Sequence, residues 1–132
     1  MKNYNKYGSV AKEAVSISKN PIISWEEAVF KHFSFESSRQ KACPRNAFLG
    51  LCEAGLVKGI KAGVYLKSKN DNLNKKYAIA AVEKLKENPK LSKKELWDKV
   101  REKLALGEKI HNSQMDVVLA LWQSNLINKK SF

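Results

Sequence analysis

The chain has 132 residues, 43% of them hydrophobic and 29% charged, with 25 Lys and Arg against 13 Asp and Glu for a formal net charge of +12. Such a length and apolar share suit one folded domain with its own core and exclude a disordered chain. No apolar run approaches the roughly 18 residues of a membrane span, and no apolar signal core follows the basic start, so a cytoplasmic protein without membrane contact is expected.

The arginines are Arg39, Arg45 and Arg101, and the rest of the positive charge is lysine. Residues 1–66 carry ten basic and five acidic groups, residues 67–76 four and one, and residues 77–132 eleven and seven. Only the middle of the chain is markedly one-sided. A charge of this size favours an anionic partner, though it also acts on solubility and nonspecific attraction. Cys43 and Cys52 would lie roughly 13 Å apart along a helix, beyond disulfide reach. Neither belongs to a zinc-type spacing, and neither a metal nor a cofactor is expected.

Tyr7, Val10, Ala11, Ala14 and Ile17 recur at three- and four-residue steps and predict a helix from about Asn5 to Lys19. Asn20-Pro21 ends it, because the residue before a proline is driven out of the helical region. Ser24, with Glu27 three residues on, predicts the capped start of a second helix. Its buried face is Trp25, Ala28, Val29 and Phe33, and Phe35 extends that cluster. Pro44 suits the first position of a third helix, where a missing N–H costs nothing. From Ala47 to Val57 nearly every residue is apolar or small, as in a helix covered on all sides, and Gly55 suits its left-handed end.

Lys58 to Lys76 reads as a connection, with a small irregular or β-like arm over Gly59 to Tyr65 and an exposed loop over Lys67 to Asn74. Lys76-Tyr77 opens a fourth helix, closed at Asn88-Pro89, and Trp97-Asp98 lies in a fifth. Ser113 and Asp116 predict a reciprocal cap for a sixth helix, apolar from Val117 to Trp122 and ended by a left-handed Asn125.

The same signals therefore run twice, with Trp25 matched by Trp97 and Phe48 to Val57 by Val118 to Ile127. Self-similarity of this kind bears on architecture first. The expected fold is all-α: six helices as a tandem duplication of a three-helix unit around two central apolar helices. Residues 1–132 form one domain, with pseudo-repeats 5–60 and 75–130 joined by a basic loop 61–74.

Polar residues gather just before the two central helices. Arg39, Lys41, Cys43 and Arg45 precede or open the first, and His111, Asn112 and Gln114 precede or open the second. Free N–H groups and a positive dipole end beside basic side chains suit a phosphate or carboxylate, and guanidinium groups add forked donors. If the central helices pack together, both segments would face one groove. The plainer account is structural, with Ser113 and Asp116 explained by capping and Asn112 and Gln114 by loop satisfaction. Cys43 with His111 also invites a thiol–imidazole reading, because a helix N-terminus lowers a thiol pKa. A helix-turn-helix is opposed by the long connection from Ser34 to Cys43 and by an apolar would-be recognition helix. Backbone-directed nucleic-acid binding through Lys67, Lys69, Lys75 and Lys76 stays open.

The segments Cys43 to Ile60 (CPRNAFLGLCEAGLVKGI) and His111 to Trp122 (HNSQMDVVLALW) carry a resemblance to a small bacterial family, known as a domain of unknown function. The likeness covers nearly the whole chain. It implies a stand-alone bacterial protein and supplies no activity, cofactor or catalytic residue.

The leading expectation is a non-enzymatic binding protein for an anionic partner, nucleic acid or an acidic protein surface. The alternatives are an interaction module or homodimer, with Tyr4, Tyr65, Trp122 or Phe132 in an exposed patch, and an enzyme using Cys43 and His111.

Overall fold

The computed structural model describes residues 3–67 and 72–130, and all its regular structure is helical. The order is α1 Lys6–Ile17, α2 Pro21–His32, a single turn α3 Glu36–Arg39, α4 Ala42–Glu53, α5 Asn72–Glu87, α6 Lys93–Leu104 and α7 Gln114–Gln123. Six full helices thus carry the fold, as the apolar periodicity requires.

Helices α4 and α7 form the centre and pack on each other. From Asn46 to Cys52 and from Gln114 to Leu121 every residue is buried. The outer helices wrap this pair: α1 packs on α2 and α7, and α5 on α4 and α6. Each central helix is therefore covered by a helix from the other half of the chain.

The two central helices end alike. Gly55 (φ 76°) and Asn125 (φ 58°) are both left-handed. Leu56 N–H then donates to Leu51 O at 3.0 Å, and Leu126 N–H to Leu121 O at 2.8 Å. Such closures satisfy carbonyls that the helix leaves open. The chain then pairs with itself, Val57 against Ile127 in an antiparallel bridge. Lys58 N–H donates to Leu126 O at 2.9 Å and Asn128 N–H to Leu56 O at 2.7 Å. The first helices meet the centre differently. The Asn5 N–H at the start of α1 reaches Asp116 near the beginning of α7, whereas Lys75 of α5 reaches Glu53 at the end of α4.

Several predicted boundaries move. Helix α2 starts at Pro21, capped by Asn20, whose side chain accepts from Ile22 N–H. Ser24 lies inside the helix, buried, where its hydroxyl accepts from Ser18 N–H at 3.0 Å. Asn20 Oδ1 supplies the acceptor expected of Ser24, and Pro21 carries no N–H that needs one, so the chain turns on Ser18 to Asn20 alone. Phe35 is 76% exposed and does not join the core. Helix α4 starts at Ala42, with Cys43 and Pro44 in its first turn, so Pro44 is not its first residue. Pro44 stays tolerable there because the first four N–H groups lack helical partners. Helix α5 begins at Asn72, which shortens the expected loop 61–74.

The arm after α4 has no strand beyond the bridge and is held by Glu53. Its carboxylate accepts from Tyr65 N–H at 2.9 Å, Leu66 N–H at 3.0 Å and Lys75 Nζ at 2.7 Å. Burial, the largest single influence, opposes its ionisation. The Lys75 ammonium and the two N–H groups outweigh that effect and hold the carboxyl below its usual range. Burial alone pushes the Cys52 thiol far up, which keeps it protonated as a small core side chain.

Candidate functional site

Two of the anion-binding candidates converge. Helix α2 presents Trp25, Glu26, Val29 and Phe30 along one side, α3 brings Arg39 and Gln40 over it, and the first turn of α4 adds Arg45. Together they line a half-open cleft of about 390 Å³, near the small end of the roughly 300–1,000 Å³ range of ligand pockets.

The short turn α3 is fixed from two sides. Tyr7 OH donates to Ser38 O at 2.8 Å, and Tyr7 stacks on Phe33 with ring centroids 4.6 Å apart. Burial raises the Tyr7 pKa, offset in part by the Ser38 bond, so the phenol remains a donor. Arg39 Nε donates to Phe33 O at 2.7 Å, and its guanidinium lies 3.8 Å from the centroid of the Phe30 ring. That arrangement adds cation–π attraction and holds the guanidinium over the Phe30 ring of α2. Arg45 is oriented through a bond from one terminal nitrogen to Asn46 Oδ1 at 3.1 Å.

Trp25 belongs to the wall of this cleft and to the core. It is 1% exposed and packs against Phe48 with ring centroids 5.4 Å apart. Its Nε1–H is buried with no hydrogen-bond partner among the described residues. An unmet buried donor costs about 1–3 kcal/mol. Trp97 of α6, by contrast, donates its Nε1–H to Lys109 O at 2.9 Å. The same residue type is therefore satisfied in one half of the chain and open in the other.

The second predicted segment lies elsewhere, around Trp97. The His111 ring sits 5.7 Å from the Trp97 ring, and its Nδ1 is buried without a partner. Gln114 accepts from Asn112 N–H and donates to Asn74 Oδ1 at 2.8 Å, which ties the start of α7 to α5. Among the described residues no hydrogen bond joins His111, Asn112 or Gln114 to Arg39, Lys41, Cys43 or Arg45. Cys43 is half-buried, and Lys41 stands exposed just ahead of α4.

Asp116 is not a capping residue. It is 1% exposed, accepts from Asn5 N–H at 2.9 Å and pairs with Lys93 Nζ at 2.6 Å. Ser113 is left-handed and makes no side-chain cap. The capping box that does form is Ser92 with Glu95 at the start of α6.

The lysines proposed for nucleic-acid backbones separate. Lys75 is engaged by Glu53, Lys67 and Lys76 are exposed, and Lys69 lies outside the described residues. Of the expected aromatic patch, Tyr4, Tyr65 and Trp122 are half-buried, and Phe132 lies outside the described residues. The Lys129 ammonium covers the Trp122 ring at 4.3 Å. The apolar side chains that do reach the surface include Ile23 and Phe30 of α2, 49% and 64% exposed. A larger cavity of about 510 Å³ lies between α1 and the end of α7. There Glu13 faces His32 at 3.7 Å and Lys31 at 4.0 Å, an arrangement of compensated charge.

Among the described residues no cluster of three or more His, Cys, Asp or Glu could hold a metal, and no helix is long and apolar enough to cross a membrane. Sequence reasoning placed Trp25 wholly in the core and missed its part in the cleft. The signal that points to it is the pair Arg39 and Arg45 flanking Gln40 directly after the Trp25 helix.

Fold and cleft together define a small all-helical protein with an arginine-lined recess at the start of its first central helix. The chain belongs to a family of unknown function, DUF6979, whose model matches residues 4–128. No curated protein and no solved structure matches it.

Proposed function

We propose that this is a non-enzymatic binding protein for an anionic partner, engaged at the start of α4. The observation that carries the reading is the meeting of Arg39 and Arg45 at one cleft, in a chain of net charge +12. An acidic protein surface suits the cleft better than a nucleic-acid backbone. Exposed Phe30, on the same cleft as the arginines, offers mixed apolar and cationic contact, as protein interfaces do. A phosphate backbone instead favours a track of free lysines, and Lys75 is already paired.

The reading also takes the chain as two copies of one three-helix unit. The matched left-handed ends at Gly55 and Asn125 support it. The first copy would bind the partner, and the second would close its own tryptophan with Lys109 O.

Fluorescence anisotropy with an acidic peptide, a DNA oligonucleotide and an RNA oligonucleotide, at low and moderate salt, tests this. The expected result is peptide binding that weakens in Arg39→Gln and Arg45→Gln. Absence of binding by all three at low salt overturns the reading, and binding only to nucleic acid overturns the choice of partner.

A further inference from the structure

We propose that the cleft between α2, α3 and α4 is a carboxylate-binding site, in which one oxygen accepts from Trp25 Nε1–H and the charge is met by Arg39 and Arg45. The inference rests on the anionic-partner reading and names the chemical group recognised.

Three observations converge on it. The first is the buried, unpartnered Trp25 N–H, in a side chain only 1% exposed that helps line the cleft. A buried donor without a partner is uncommon in folded proteins, and an acceptor on a ligand is one way to complete it. The paired tryptophan of α6 shows what is missing, since a carbonyl oxygen stands 2.9 Å from its nitrogen. The second is the state of the two arginines. Arg39 spends its Nε on Phe33 O and Arg45 one terminal nitrogen on Asn46. No other hydrogen bond holds either guanidinium among the described residues, so forked donors remain for a planar anion.

The third is the charge balance. Glu26 shares the lining with the two arginines, which leaves one net positive charge. That suits a monoanion such as a carboxylate rather than a phosphate ester, which carries about −1.5 to −2 at neutral pH. Gln40, also on the lining, offers both a donor and an acceptor beside the carboxylate. The same group can arrive on a free organic acid or on an acidic side chain of a protein, and the two sources are distinguished by experiment.

The test follows the indole N–H signals of the full chain by ¹H–¹⁵N correlation NMR during titration with benzoate, benzamide, inorganic phosphate and an acidic peptide. The Trp25 signal is assigned by its Overhauser contacts to Phe48, and again by its loss in Trp25→Phe if that variant folds. Benzoate or the peptide should move the Trp25 signal downfield and leave Trp97 in place, while neutral benzamide has no effect. Arg39→Gln and Arg45→Gln should each weaken the response about tenfold, as expected for one lost charge-assisted contact. Response to the peptide alone marks a protein-borne carboxylate, and response to both peptide and benzoate marks a site open to free acids. A Trp25 signal unmoved by any probe at millimolar concentration, or moved by phosphate alone, overturns the proposal. If the peptide binds by anisotropy while Trp25 stays unmoved, the carboxylate site falls and the anionic-partner reading stands. If nothing binds in either assay, both fall.

Discussion

Asp116 shows how one residue type serves two roles that spacing cannot separate. Three residues after Ser113, it fits a cap, yet it anchors three parts of the chain through Asn5 and Lys93. Removing the charge leaves Lys93 and the Asn5 N–H without their acceptor. Asp116→Ala should therefore lower the unfolding free energy by roughly 2–3 kcal/mol, the scale of hydrogen bonds to a charged group. Urea denaturation measures it, and a loss below about 0.5 kcal/mol would contradict the anchoring role.

Glu53 makes a pH prediction with a definite sign. Its folded pKa is lowered, so its contribution is present above the unfolded glutamate value of about 4.3 and is lost as pH falls through the folded value. The thermal stability of the native chain should therefore fall on acidification through that window. The dependence should be shallower in Glu53→Gln, whose stability at neutral pH should already be lower. Equal slopes for both proteins would remove Glu53 as the source.

At the scale of elements, the close approach of α4 and α5 depends on Gly50. A Cβ there would lie 2.5 Å from Lys75 Cβ and 2.7 Å from Lys75 Cα, so the backbone of α5 must move. Gly50→Ala gains helix propensity of about 1 kcal/mol and loses more to overpacking, typically about 1–3 kcal/mol. A net loss in denaturation midpoint is expected. A gain would mean that the helices separate without cost. The periodicity behind α1 and α2 was legible because an amphipathic stripe needs only local sequence. The start of α2 was misplaced because Ser24 matches a cap pattern that Asn20 and Pro21 satisfy first.

For the whole molecule, the contact pattern decides how the chain unfolds. Helix α1 rests on α7 and α5 on α4, so each central helix depends on a helix from the other half of the chain as well as on its own half. Residues 1–66 expressed alone should show little stable helix by circular dichroism, and the full chain should unfold in one cooperative step by two probes. An independently folded half would overturn this account. The reach of the candidate site has the same origin. Arg39 and Arg45 were recognisable as a basic pair near a helix start, but their meeting with Trp25 required α3 to be pinned by Tyr7 from a different helix. His111 and Gln114 matched the same pattern and were drawn instead to Trp97 and Asn74.

Sequence alone determined the all-helical class, the two central helices and their left-handed ends, because apolar spacing and the permissive conformations of Gly and Asn act over a few residues. Tertiary structure alone decided which polar groups meet: Asp116 with Asn5 across most of the chain, Glu53 with Lys75, and Arg39 with Arg45 on the lining of one cleft. Hydrogen bonds and ion pairs demand positions correct to a fraction of an ångström. Only the packing of helices distant in sequence supplies those positions.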